Sequence, residues 1–272
     1  MREHRSEFIK KVMDLQTDLV LRFREILGEK LTGIYIHGSI AFGCFHWERS
    51  DMDFLVVVEE NLTLEEKLQI HRWILSVQEN CPPKGLEMSV VEKQVCRHFV
   101  YPTPYLYHFS NSHLERARRD PVEYCTHMQG TDRDLAAHIA VIREYGIVLD
   151  GARIEKVFDP VPMDAYLDSL LYDVDNMEAD IVENPVYCTL NLCRVMAYCR
   201  AYLILSKPDG GNWALRFLDP EWHDIIRQAV DAYGTGTPMT AEPERLQRFA
   251  GYCLETIREK HRMWREYREQ MW

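Results

Sequence analysis

Asp51 and Asp53 stand two residues apart at the head of "DMDFLVVV", a run that is otherwise apolar. On a strand, residues two apart share a face, so the two carboxylates project together while Met52 and Phe54 point the other way. Carboxylates placed this closely repel each other unless a cation sits between them. Glu87 opens a second apolar run, "LEMSVV", and joins the pair if the two strands are neighbours. Three hard oxygen donors suit Mg²⁺, which keeps water and substrate phosphates among its ligands. Just upstream, Gly38 lets the backbone approach a ligand closely, and Ser39 adds a hydroxyl and an amide where a helix could begin, which suits phosphate. Taken alone, Gly38-Ser39 also reads as an ordinary turn, and Asp51 as a strand-end cap.

The elements that must carry these groups follow from hydrophobic periodicity. Phe8, Ile9, Val12, Met13, Leu15 and Leu19 recur at helical spacing and predict an amphipathic helix over 6–28. "TGIYIHG", "DMDFLVVV" and "LEMSVVE" read as strands, with the helical stretch "LTLEEKLQIHRWILSVQEN" between the last two. The proline-bearing "KVFDPVPMD" looks like a domain junction. Beyond it the pattern is helical, with candidates at 163–181, 186–205, 212–218, 220–233 and 242–270 separated by loops such as "KPDGG" and "YGTGTP". The predicted fold is an α/β N-terminal domain with a mixed sheet, residues 1–157, followed by an all-α helical-bundle domain, residues 158–272.

Composition restricts the partners. The chain has 272 residues, 46% hydrophobic and 28% charged, enough for two ordinary domains with real cores. Acidic residues outnumber basic ones by 43 to 32, a net charge of −11, which disfavours nucleic acid and anionic membranes and favours a cationic small molecule. The eight cysteines show no metal-finger spacing and read as reduced core residues of a cytoplasmic protein. The N-terminus lacks the apolar stretch of a signal peptide, no segment is long enough to span a bilayer, and the expected state is a monomer. His108, His113, His127 and His138 match no HExxH pattern and read as surface or polar-core residues.

Taken as a unit, Gly38-Ser39, then Ser50-Asp51-x-Asp53 heading an apolar strand, then an acidic residue on a later strand resembles the nucleotidyltransferase superfamily that includes DNA polymerase beta. "FDPVP", "TLNLCRVMAY", "LSKPDGGNWAL" and "AVDAY" in the second half resemble the helical domain of the streptomycin/spectinomycin adenylyltransferases, the aminoglycoside 3''/9 type. The resemblance runs from about residue 30 to 260. It implies AMP transfer from ATP to an aminocyclitol or aminoglycoside hydroxyl, with release of pyrophosphate. Asp51, Asp53 and Glu87 would hold the metal, and Glu87 would also be the base. Gly38, Ser39 and Ser50 would meet ATP, as would an acidic residue of "DRDLAAHI", taken as Asp134 with Asp132 as the alternative. Arg194, Lys207 and Tyr233 in the helical domain would contact the nucleotide and its phosphates.

Periodicity agrees for the helix: Tyr187, Asn191, Arg194 and Tyr198 form a polar stripe, and Leu190, Cys193, Ala197 and Ala201 an apolar one. On local grounds alone Arg194 also reads as one half of an internal salt bridge, and Lys207 as a solvated loop lysine. Asp173, Asp175, Asp180 and Glu183 read either as a cation-attracting wall or as a solvated helix face. Streptomycin-modifying members carry a tryptophan in the region of "YLYHFSNSHLER", and another tryptophan and an aspartate before the "TL...R" helix. Here no tryptophan lies between Trp73 and Trp213, and Asp175 and Asn184 take the other two places, so a compact acceptor such as spectinomycin is expected over streptomycin. Two other readings keep the nucleotide site but change its use: transfer to another small-molecule or protein hydroxyl, and a regulatory or antitoxin-like module without turnover.

Overall fold

The computed structural model describes the chain from Arg2 to Met271, with side chains over 7–267. It divides into two compact units, Met1–Val161 and Pro162–Trp272.

In the first unit α1 (Arg2–Leu27) leads into β1 (Leu31–Ile36), the single helical turn α2 (Gly38–Ala41) and β2 (Met52–Val58). Helix α3 (Leu64–Val77) connects β2 to β3 (Leu86–Glu92). Its start is encoded locally: the Thr63 hydroxyl accepts from the Glu66 amide at 3.2 Å, while the Glu66 carboxylate accepts from the Thr63 amide at 2.6 Å, a reciprocal cap. Then come α4 (Lys93–Arg97), β4 (Thr103–Tyr105), β5 (Tyr107–Phe109), α5 (Leu114–Arg119), α6 (Pro121–His127), β6 (Gly130–Asp132), α7 (Leu135–Tyr145), β7 (Ile147–Gly151) and α8 (Ile154–Val157).

The main sheet is mixed, in the order β5-β3-β2-β1-β7, with β2 and β3 parallel and the other neighbours antiparallel. The pleat divides each central strand between two cores. Met52, Phe54, Val56 and Val58 of β2 join Leu86, Met88 and Val90 of β3 against Leu19 and Phe23 of α1 and Ile70 and Trp73 of α3. Leu55, Val57 and Val91 face the other way, onto Leu135, Ile139 and Ile142 of α7. Both faces are covered, so β2 and β3 must be apolar on both sides wherever they are not doing chemistry.

The second unit is helical: α9 (Met163–Val174), α10 (Met177–Asp180), α11 (Pro185–Ala201), α12 (Lys207–Phe217), α13 (His223–Thr235) and α14 (Pro243–Met271). Helix α11 is its axis, buried nearly all round and packed by α9, α12, α13 and α14. Two boundaries depart from the sequence expectation. The stretch 163–181 breaks into α9 and α10. The "KPDGG" segment is the first turns of α12 and not a loop: Ser206 caps it by accepting from the Asp209 amide at 3.1 Å, and Pro208 lies in the first turn, where no amide is needed. Gly210 and Gly211 are there for packing. A Cβ on Gly210 would come within 2.8 Å of Arg194 backbone, and one on Gly211 within 2.5 Å of Val230 and 2.8 Å of Leu190. The short edge strand β7 carries no readable strand pattern, because Ile147 and Val148 are both exposed and show no clean alternation, and β5 spans only three residues.

Among the described residues no helix is long and apolar enough to cross a membrane. All eight cysteines are free thiols, seven of them buried and Cys44 half-buried.

Candidate active site

The carboxylates meet because of strand register. Asp53 and Glu87 are direct partners across the parallel pair β2/β3, and both lie on the face whose deeper positions, Leu55, Val57 and Val91, belong to the α7 core. Asp51 precedes β2 and turns to the same side. Oxygens of Asp51, Asp53 and Glu87 all lie within 4.8 Å of one another, and each residue is half-buried.

Gly38 is the reason Asp53 fits where it does. Its φ of +59° is the left-handed region that favours glycine. A Cβ there would collide with the Asp53 carboxylate, so only glycine lets the turn close over that side chain. The turn is tied to the strand by the His37 amide donating to the Asp53 carbonyl at 3.1 Å. Ser39 follows, and its buried Oγ has no hydrogen-bond partner among the described residues. A hydroxyl hidden from solvent and left unbonded costs free energy and calls for a ligand or water. Three converging hard-oxygen donors beside that hydroxyl fit a divalent hard cation carrying phosphate.

The remaining unit 1 residues are placed as follows. Ser50 is buried; its hydroxyl accepts from the His46 amide at 3.1 Å and its own amide donates to the His46 carbonyl at 2.8 Å, so it braces the loop before Asp51. Asp134 stands at the N-cap of α7, half-buried, with its amide donating to Asp132 at 2.9 Å. Asp132 is therefore used, at least in part, to shape that turn.

His37 and Ser89 carry no signal in the sequence, and their partners are two of the histidines read there as surface or polar-core residues, His138 and His108. His37 is buried and its ring lies 4.5 Å from that of His138. Burial, and then the neighbouring His138, push the His37 pKa well below its ordinary value. Ser89, two residues beyond Glu87 on β3, bonds His108 of β5 at 2.9 Å. Burial, followed by His113, lowers the His108 pKa to about 4. Both rings are thus neutral at physiological pH. Local spacing carries no sign of these pairs, since their members come from different strands and helices.

In unit 2, Arg194 on α11 pairs with Asp173 of α9 at 3.6 Å, while its buried Nε has no hydrogen-bond partner. Lys207, the first residue of α12, lies 4.6 Å from the centroid of the Tyr187 ring. Tyr233 is half-buried in the last turns of α13. The acidic wall expected near the junction is partly neutralised: Asp173 faces Arg194, and Asp175 is clasped by Arg258 at 2.6 and 3.0 Å.

Residues 20–103 match the family model of the nucleotidyltransferase domain, and residues 156–256 that of the aminoglycoside adenylyltransferase C-terminal domain. The chain joins a nucleotidyltransferase domain to an aminoglycoside adenylyltransferase C-terminal domain. The enzyme is 24% identical over 261 residues to an aminoglycoside (3'') (9) adenylyltransferase of Klebsiella pneumoniae, covering 93% of this chain and 97% of that one. A relative of the same description from Escherichia coli is 24% identical over 236 residues, 84% of this chain and 88% of its own. The fold is also that of the spectinomycin adenyltransferase AAD(9) from Enterococcus faecialis, solved with ATP and spectinomycin, at a TM-score of 0.74, 18% identity and coverage of 93% of this chain and 99% of that one. The enzyme is therefore a nucleotidyltransferase of the adenylyltransferase type, with an α/β nucleotidyltransferase domain and a helical second unit.

Proposed function

We propose that the enzyme transfers AMP from ATP to a hydroxyl of spectinomycin, or of a similarly compact aminocyclitol, in preference to streptomycin. The acceptor oxygen attacks the α-phosphorus, the bond from that phosphorus to the bridging oxygen breaks, and pyrophosphate leaves. The observation that carries this reading is the convergence of Asp51, Asp53 and Glu87 within 4.8 Å beside the unpartnered Ser39 hydroxyl.

Magnesium held by these three carboxylates would neutralise the triphosphate and polarise the reacting phosphoryl group. Glu87 takes the proton from the acceptor hydroxyl as the new bond forms. Ser39 and the tight Gly38 turn hold phosphate oxygens, Ser50 keeps Asp51 in place, and Asp134 orients the nucleotide. Arg194 and Lys207 supply fixed positive charge for the phosphates, and Tyr233 a phenol. The net charge of −11 favours approach of a cationic acceptor.

The preference for a compact acceptor rests on what the chain lacks and on one side chain it has committed elsewhere. No tryptophan occurs between Trp73 and Trp213, so the flat surfaces associated with streptomycin are missing. Asp175, at one of those tryptophan positions, is clasped by Arg258. Asn184 brings no charge for a guanidinium. A small rigid acceptor needs fewer contacts.

The test is AMP transfer from labelled ATP by the purified enzyme across spectinomycin, streptomycin and related compounds, with pyrophosphate followed in parallel. Labelled spectinomycin and acceptor-dependent pyrophosphate are expected. Transfer to streptomycin alone would overturn the preference, and no transfer to any member of the panel would direct the search to another hydroxyl.

A further inference from the structure

We infer that Asp173 is the counter-ion of Arg194 in the nucleotide-free enzyme and that ATP phosphates displace it, so that the Asp173 charge limits nucleotide affinity. The inference rests on the assignment of Arg194 to the nucleotide.

Four side chains from three helices of unit 2 form a chain of contacts. Lys207 of α12 lies over the Tyr187 ring at 4.6 Å, the Tyr187 hydroxyl donates to Asp173 at 3.4 Å, and Asp173 faces Arg194 at 3.6 Å. Both proposed phosphate cations are thereby joined through one phenol and one carboxylate. Two cations against one carboxylate leave these four side chains with positive charge in excess.

The Asp173–Arg194 pair is incomplete. In the same unit, Arg258 holds Asp175 closely: its Nε and Nη2 both donate to Oδ1, at 3.0 and 2.6 Å, and Nη2 also donates to the Asp175 carbonyl at 3.1 Å. The approach of Arg194 to Asp173 is Nη2 to Oδ2 at 3.6 Å, beyond hydrogen-bond length, and its Nε is buried without a hydrogen-bond partner. Side-chain exposures of 27% for Arg194 and 24% for Asp173 leave both accessible. The Nε and Nη2 edge of a guanidinium is matched by two oxygens of a phosphate.

The backbone beneath is held firmly, since Gly210 packs directly on Arg194, and a Cβ there would meet its backbone at 2.8 Å. Arg194 is therefore fixed at its base and loosely paired at its tip. Asp173 keeps the guanidinium aligned without ligand, then competes with the phosphates for it. Its role is positioning, and its cost is nucleotide affinity.

The experiment measures ATP affinity by calorimetry, with magnesium present, for the full-length enzyme and for Asp173→Asn, Asp173→Glu, Arg194→Ala and the Asp173→Asn/Arg194→Ala double variant, each checked for folding by thermal melting. Arg194→Ala should weaken ATP binding. Asp173→Asn should tighten it by about two- to fivefold, more at low ionic strength, which is the scale of a part-exposed ion pair. Asp173→Glu should stay near the parent, and Asp173→Asn should have no effect once Arg194 is gone. If Arg194→Ala weakens binding while Asp173→Asn leaves it unchanged or weaker, the counter-ion role is wrong and the assignment of Arg194 survives. Unchanged ATP affinity in Arg194→Ala overturns the assignment itself. A raised acceptor KM in Asp173→Asn at constant ATP affinity places the carboxylate on the acceptor and overturns the proposal.

Discussion

Asp53 and Glu87 are register partners across the parallel strands β2 and β3, separated by 34 positions in sequence and by one strand spacing in the fold. Their carboxylates, with that of Asp51, bring three oxygens within 4.8 Å of one another. Such clustering is unfavourable in the absence of a cation. Asp53→Asn and Asp51→Asn should therefore each abolish AMP transfer while leaving the metal-free protein as stable as the parent or slightly more so. Thermal melting in chelator, beside a turnover assay in millimolar magnesium, checks both halves. Near-normal turnover of Asp53→Asn would remove it from the metal.

Glu87 is assigned a second task. Glu87→Gln keeps the shape of the side chain and removes its basicity, and the expected loss is about 10²- to 10⁴-fold in rate, the range of a positioned acid/base group. ATP affinity should stay within a few-fold of the parent. Equal losses in ATP binding and rate would make Glu87 a metal ligand first.

Gly38→Ala tests the turn. The substitution puts a Cβ against the Asp53 carboxylate at a backbone φ of +59°. Strain of about 1 kcal/mol is expected in stability. The larger effect should be on turnover, through displacement of Asp53, and should appear as a raised magnesium requirement. A stable Gly38→Ala enzyme with the parent's magnesium dependence would argue against the close fit.

Acid should destabilise the first unit through its buried histidines. His71 donates Nε2–H to the Ala117 carbonyl at 3.0 Å and accepts from the Tyr107 hydroxyl at 2.9 Å at Nδ1, so a second proton would break that network. Burial lowers the His71 pKa, and burial followed by His113 lowers that of His108 to about 4. In the unfolded chain both protonate near pH 6.5. Folded values below unfolded ones give stability that is fully present above about pH 6.5 and lost as the pH falls toward 4. The His108 contribution alone is of order 3 kcal/mol across that window. Melting temperature should fall steadily from pH 7 to pH 5, and His108→Gln should flatten the curve. An unchanged slope in both His71→Gln and His108→Gln would sink the assignment.

How much of this was written in local sequence differs from residue to residue. The alternation of β2 states that Asp51 and Asp53 share a face, because the strand period is two, and a period needs no partner to be read. The reciprocal cap of Thr63 and Glu66 lies within four residues, and the apolar runs of β2 and β3 identify buried strands. The motifs of the second half were sufficient to indicate the family and with it the helical unit. Glycine misled at α12, because Gly210-Gly211 carries the same letters whether it breaks a helix or lets two helices touch.

The pairings belong to the tertiary structure. That Glu87 faces Asp53 depends on the register of two strands joined by α3, and that Ser89 meets His108 depends on β5 adding to the far edge. Arg194 carried two local readings, a nucleotide ligand and an internal ion pair, and the fold sets it beside Asp173 from another helix, at a distance that leaves the pair incomplete. Periodicity tells each side chain which way to face along its own element. Only packing of one element on another, driven by burial of the two sheet faces and of α11, decides what it meets there.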